Sequence, residues 1–81
     1  MSTAVTEDQI AQVVIESLAS FGADPEHISR EATLEQLDID SLDLAELSQI
    51  VQERFDVELS GADVADVKTV DDAIRLIARS A

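Results

Sequence analysis

Cysteine is absent from the 81-residue chain, so neither a disulfide framework nor a thiolate metal site can form, and the chain itself supplies no thiol. The redox compartment is left unmarked. Glycine is scarce, and Gly22 and Gly61 stand isolated, which excludes a glycine-rich loop that cradles phosphate. Aromatics are reduced to Phe21 and Phe55, leaving Leu, Ile, Val and Ala to build a modest core. Positive charge is scarcer still. Five Lys and Arg against 18 Asp and Glu give a formal net charge of −13, which disfavours direct binding to nucleic acid or an anionic membrane. A basic protein surface is the natural partner. No apolar run approaches the roughly 20 residues of a membrane span. Met1 to Val5 carry no basic region, and Glu7, Asp8, Gln9 and Glu16 interrupt the first apolar stretch, unlike a signal peptide. The expectation is a cytoplasmic chain forming one domain over residues 1–81, near the size at which a single core folds with little stability in reserve.

So acidic a chain could be disordered, but its apolar residues are spaced for helices. Thr6-Glu7-Asp8-Gln9 has the form of a capping box, with acids at the positive end of the helix that follows. Ile10, Val13, Val14, Leu18 and Phe21 recur at steps of three and four, stacking on one face until Gly22 offers a left-handed stop. From Ala23 to Ile39 the period fades. Asp24-Pro25-Glu26 reads as a turn, because proline fixes its own backbone and restricts its neighbour. A loop this long in so small a domain has a functional reason or hides a short helical turn, and the isolated Ile28, Leu34 and Leu37 predict that it is pinned across a bundle.

A second helix is predicted from Asp40 or Ser41 to about Phe55, with Leu44, Leu47, Val51 and Phe55 on one stripe and Asp43, Glu46 and Glu53 projecting away. Leu42 and Ala45 fall beside those acids, making an exposed apolar spot ringed by carboxylates. Ser60 can cap a short helix through Ala62, Val64 and Val67. Thr69-Val70-Asp71-Asp72 opens a last helix carrying Val70, Ala73, Ile74, Ile77 and Ala78 inward, with Arg75 and Arg79 toward its end. There is no internal repeat and no strand-like alternation. The reading is an all-α bundle of three longer helices and one short helix, with a long loop between helices one and two.

Ser41 is the most informative residue, a hydroxyl at a helix start between Asp40 and Asp43. Either Asp40 or Ser41 can cap that helix. The same place suits a phosphate, because unpaired N–H groups and the positive dipole end favour an anion. A nucleophilic enzyme would need a base beside the hydroxyl, and the only histidine, His27, lies in the Pro25 loop, so self-contained catalysis is set aside. Asp38-x-Asp40 resembles the opening of an EF-hand. The fit then fails, with Leu42 at the fifth position, Asp43 at the sixth and Gln49 at the twelfth, and no metal site is expected. Eleven acids and one base, Arg54, lie between Glu31 and Asp66, a field that speeds encounter with basic partners while leaving affinity salt-sensitive.

Asp40-Ser41-Leu42 ahead of an acidic amphipathic helix resembles the attachment motif of acyl carrier proteins. The likeness extends over nearly the whole chain, through Glu53-Arg54-Phe55-Asp56-Val57-Glu58-Leu59 and Thr69-Val70-Asp71-Asp72-Ala73-Ile74 in the family's order. It implies a four-helix acyl-carrier bundle in which Ser41 receives covalent 4'-phosphopantetheine from coenzyme A through a separate phosphopantetheinyl transferase. The arm's thiol would then carry acyl groups as thioesters, a tether presenting cargo to several active sites at high effective concentration. The resemblance further implies that Asp40, Leu42, Asp43, Ala45, Glu46, Gln49 and Glu53 face ketosynthase, acyltransferase and other basic-surfaced enzymes, that Leu47, Val51, Val64 and Val67 form an acyl pocket, and that the carrier is a non-catalytic monomer. Two positions depart from the pattern. Asp38 stands where the family frequently has glycine, which leaves the local loop shape open, and Gln49 stands where an apolar contact is common. Both tilt the reading from housekeeping fatty-acid synthesis toward a discrete polyketide carrier. The competing readings are an aminoacyl or peptidyl carrier and, in another class, an acidic interaction module of nucleic-acid-mimic type in which Ser41 is only a helix cap.

Overall fold

The computed structural model describes residues 6–80; Met1–Val5, read above for a targeting segment, and Ala81 lie outside the described residues. The elements are α1 (Glu7–Ser20), a single 3-10 turn (Pro25–His27), α2 (Ser41–Phe55), α3 (Gly61–Ala65) and α4 (Val70–Ser80). Each α-helix starts on a side chain that serves its unpaired N–H groups. Reciprocal boxes join Thr6 to Gln9, Asp40 to Asp43, Ser60 to Asp63 and Thr69 to Asp72, the cap oxygen accepting one backbone N–H while the later side chain accepts the other. Each such cap stabilises by about 0.5–2 kcal/mol. At the other end of α1, Gly22 takes φ 110°, with its N–H on the Ala19 carbonyl at 3.1 Å and the Ala23 N–H on that of Leu18 at 3.1 Å. That pair of bonds is a Schellman stop at the predicted glycine.

The core forms where α1 packs on α4. Ile10, Val14 and Leu18 from α1, with Val70 and Ile74 from α4, are fully buried and Ile77 nearly so. Val13, predicted inside, is only half-buried, and Ser17 is buried instead. Its hydroxyl is satisfied by donating to the Val13 carbonyl at 2.7 Å, so a small polar residue is accommodated there. Leu76 is buried although it lies about 130° from the centre of the α4 stripe, on the flank where Leu59, Val64 and Val67 line a cavity with it. The short helix ends at Ala65, before Val67, and none of its side chains is fully buried.

The segment between α1 and α2 is pinned, as its apolar residues predict. Leu34, Leu37 and Ile39 are buried and Ile28 packs against the core. The segment also runs antiparallel to the lead-in of α4. The Leu34 N–H reaches the Lys68 carbonyl at 2.9 Å, the Val70 N–H that of Ala32 at 3.0 Å and the Asp71 N–H that of Arg30 at 2.9 Å. Arg30 then locks three elements, donating from Nε to Asp71 at 2.7 Å and pairing with Glu7 at the start of α1. These carboxylates push its pKa above the ordinary arginine value. Arg75 holds the other oxygen of Asp71 at 2.8 Å. In the same region the Asp72 carboxyl is held below the usual range by the Thr69 and Lys68 backbone N–H groups.

Candidate functional site

The stretch leading into α2 is built by a turn that the sequence reading did not identify. Thr33 and Gln36 form a reciprocal box, with Thr33 N–H to Gln36 Oε1 at 3.0 Å and Gln36 N–H to Thr33 Oγ1 at 3.0 Å. The turn closes with Asp38 N–H on the Glu35 carbonyl at 3.1 Å and Ile39 N–H on the Leu34 carbonyl at 2.9 Å. This is the Schellman pattern again, with buried Leu34 and Ile39 as its apolar partners and Asp38 at φ 59° in the left-handed position. The loop shape left open by Asp38 is therefore the turn a glycine would make, adopted here by an aspartate. Thr33-x-x-Gln36 was the available signal.

Ile39, buried, anchors the end of this turn and the chain emerges at Asp40. Asp40 is the N-cap of α2: its Oδ1 accepts the Asp43 N–H at 3.0 Å, and Asp43 Oδ2 accepts the Asp40 N–H at 3.4 Å. Ser41 is the first helical residue and is exposed. The two candidates for the cap are thereby separated, because a carboxylate does the capping and the Ser41 hydroxyl is left for other chemistry. Leu42 beside it is 77% exposed, the exposed large hydrophobic side chain among the described residues.

At about 100° per residue, Leu42, Ala45, Glu46, Gln49 and Glu53 fall within one sector of α2, and all five are exposed. Asp40 is exposed at the cap, and Asp43, tied into the box, is half-buried at the edge of the sector. On the opposite side Leu47 and Val51 are buried, and Leu44 and Phe55 partly so. Between α2, α3 and α4 lies an apolar cavity of about 20 Å³, room for roughly one water molecule. Leu47, Val64 and Val67 line it, but Val51 does not; that side chain is sealed in the core. Leu44, Ala73 and Ile77, expected only as core stripe residues, line it too, and Ser48, Leu59 and Leu76 were missed altogether, since only the placement of α3 reveals them. His27 is exposed on the 3-10 turn with Nδ1 3.7 Å from Asp24, as a surface loop residue.

Residues 9–77 match the family described as a phosphopantetheine attachment site. The acyl carrier proteins of Chlamydia caviae and Chlamydia muridarum are each 35% identical to the chain over 72 residues, covering 88% of it and 90% of theirs. The chain belongs to the acyl carrier protein family. Its fold is similar to that of an acyl carrier protein from Thermotoga maritima, with a TM-score of 0.74 at 23% identity, covering 91% of this chain and 87% of that one. It is also similar to the acetyl actinorhodin acyl carrier protein of Streptomyces coelicolor, with a TM-score of 0.70 at 24% identity, covering 99% and 94%. This family carries a covalently attached 4'-phosphopantetheine. An exposed hydroxyl at a helix start, released from capping, fits such a phosphodiester by access and by the local dipole. The acidic interaction module with Ser41 as a cap is set aside by the family and by Asp40 occupying the cap.

Proposed function

We propose that Ser41 is the attachment residue and that the loaded chain is a non-catalytic, monomeric, cytoplasmic carrier of acyl intermediates in polyketide or fatty-acid synthesis. The observation that carries this is the exposure of the Ser41 side chain at the first position of α2, with Asp40 and Asp43 meeting each other's capping needs. When bound, the arm supplies the thiol that the cysteine-free chain lacks, and acyl groups ride on it as thioesters. In loading, the Ser41 oxygen forms the phosphoester bond, the nucleotide portion of coenzyme A leaves, and the hydroxyl proton passes to a base on the transferase. Asp40 fixes the helix start during this step.

The exposed sector of α2 is the face offered to the transferase, ketosynthase, acyltransferase and related basic-surfaced enzymes. Glu46 and Glu53 meet Arg and Lys, while Leu42 and Ala45 enter an apolar depression. Gln49 within this face, where an apolar contact is common in the family, favours a dedicated polyketide pathway over general fatty-acid synthesis. An acyl chain sheltered between α2 and α3 would lie against Leu47, Val64 and Val67. A void of about 20 Å³ must widen to admit it, and α3, which walls it without a fully buried side chain, is the α-helix with least burial to hold it in place.

The test is mass spectrometry after incubation with coenzyme A and a promiscuous phosphopantetheinyl transferase. One arm should be added to the wild type and none to Ser41→Ala. An unmodified wild type, under conditions that load a control carrier, overturns the reading.

A further inference from the structure

The first turns of α2 do little to hold themselves in place. None of residues 41–46 is fully buried and Leu44 packs on the core only in part, so the first sealed side chain of the helix is Leu47. The position of Ser41 therefore depends on the chain that enters the helix, and that chain hangs on α4. The Leu34 carbonyl accepts the Ile39 N–H at 2.9 Å, closing the turn directly before the Asp40 cap, while the Leu34 N–H is itself held by the Lys68 carbonyl. Upstream, residues 30–34 are fastened to the α4 lead-in. At their head Arg30 and Asp71 are joined twice, by the Asp71 N–H on the Arg30 carbonyl at 2.9 Å and by Arg30 Nε on Asp71 Oδ1 at 2.7 Å. The same guanidinium pairs with Glu7 at the start of α1. Arg30 is the one arginine or lysine between α1 and α2, and its side chain is only 38% exposed.

We propose that Arg30 is a positioning residue for arm transfer: by tying the loop to the starts of α1 and α4, it fixes the turn that presents the Ser41 hydroxyl to the transferase. The inference rests on Ser41 being the attachment residue. It gives a cation on the tightly held side a part in loading that the acids of α2 cannot supply, since they attract a basic enzyme without fixing where the hydroxyl lies. The sign of the effect separates positioning from docking. Replacing Arg30 by Gln removes one positive charge and takes the formal net charge from −13 to −14, and a more anionic chain should meet a basic enzyme faster, not slower. Arg75 is the internal control. It holds the other oxygen of Asp71 at 2.8 Å, but from the next turn of the same helix, and among the described residues it forms no ion pair with the loop.

The experiment compares Arg30→Gln, Arg30→Lys and Arg75→Gln in the full chain, reading kcat and KM of arm transfer from coenzyme A, amide hydrogen exchange and melting temperature. Arg30→Gln should lower kcat about three- to tenfold while KM changes less than about twofold, because the enzyme still docks but meets a hydroxyl that is less well placed. Exchange at the Leu34 and Ile39 amides should rise about tenfold more than at Ile74 in the α1–α4 core, since only the loop is released. Arg30→Lys keeps the charge but lacks the planar fork that grips two carboxylates, and it should fall between wild type and Arg30→Gln in both readings. Arg75→Gln, with the same change of charge, should load at the wild-type rate or faster and leave both loop amides as they are. Melting temperature should fall by no more than about 6 °C in any variant, because partly exposed ion pairs add little to global stability. Arg30→Gln loading at or above the wild-type rate overturns the proposal and leaves Ser41 as the attachment residue. An equal loss of kcat in Arg75→Gln overturns it too, as does exchange that rises uniformly across loop and core. If Arg30→Gln does not fold, Arg30→Lys carries the test, and loop exchange equal to wild type overturns the proposal. Wild type that never loads sinks the attachment reading beneath it.

Discussion

The two sides of the bundle are held together very differently. On one side, α1 and α4 press fully buried Ile10, Val14, Leu18, Val70 and Ile74 together, and the long loop is zipped to the α4 lead-in by backbone bonds and the Arg30 ion pairs. On the other, α2 buries only Leu47 and Val51 along 15 residues, and α3 buries none. The second side carries Ser41, the exposed sector and the apolar cavity. On the proposed reading, with Ser41 as the attachment residue, the carrier would offer surface to several enzymes and make room for cargo on its less tightly held side, while the rest supplies stability. In a domain this small the stable side has little to spare.

The largest effect should come from a truncation that tests this division. Ile74→Ala removes fully buried atoms from the α1–α4 interface and should cost about 2–5 kcal/mol, enough to unfold much of the population of a marginal domain. Val64→Ala, at the half-buried wall of the cavity, should cost about 1 kcal/mol or less. Urea unfolding of both variants measures the contrast, and similar losses at the two sites would show that stability is shared evenly.

A smaller effect, and one on rate rather than stability, is expected from reversing Glu46 and Glu53 to Lys. Both side chains are exposed on α2 and neither holds the fold together, so melting temperature should change little. Arm transfer or acyl loading should slow about tenfold at low salt and recover as salt rises. Unchanged loading at low salt would remove the docking role from this sector.

How much of this division was legible in the sequence follows the range of the interactions. Caps are local, so Thr6, Ser60 and Thr69 announce helix starts by residue type and spacing, and Gly22 announces a stop. The α4 stripe is legible because its period is regular over 11 residues that pack mainly on α1. Ambiguity at Asp40-Ser41 was a matter of one residue, since both types cap well, and only the bond from Asp43 N–H to Asp40 Oδ1 assigns the duty. Leu47, Val64 and Val67 were anticipated as cavity lining through the family resemblance, but Leu76, Ser48 and Leu59 were not legible. They depend on where a five-residue helix lies, and too few residues carry a period to orient it. Ser17 was hidden by type, a polar residue whose hydroxyl is satisfied within its own helix. The left-handed Asp38 was hidden for the opposite reason, because the residue that would have marked the turn is replaced by one that tolerates it.

The smallest effect concerns acid stability on the tightly held side. Asp72 accepts N–H bonds from Lys68 and Thr69 at 3.2 and 3.1 Å, which hold its folded-state pKa below the usual value, with Arg75 adding in the same direction. The unfolded chain then binds the proton first as pH falls. Its contribution to stability is complete above the ordinary aspartate pKa of about 3.9 and fades as pH drops through the lower folded value. Protonation also relieves repulsion in a chain of net charge −13, an opposing trend spread over all 18 acids. Comparing urea midpoints of wild type and Asp72→Asn from pH 6 to pH 2.5 isolates the single group. Wild type should be the more stable at pH 6, with the gap narrowing below about pH 4. A gap that stays constant with pH would mean that the Asp72 box acts through geometry alone.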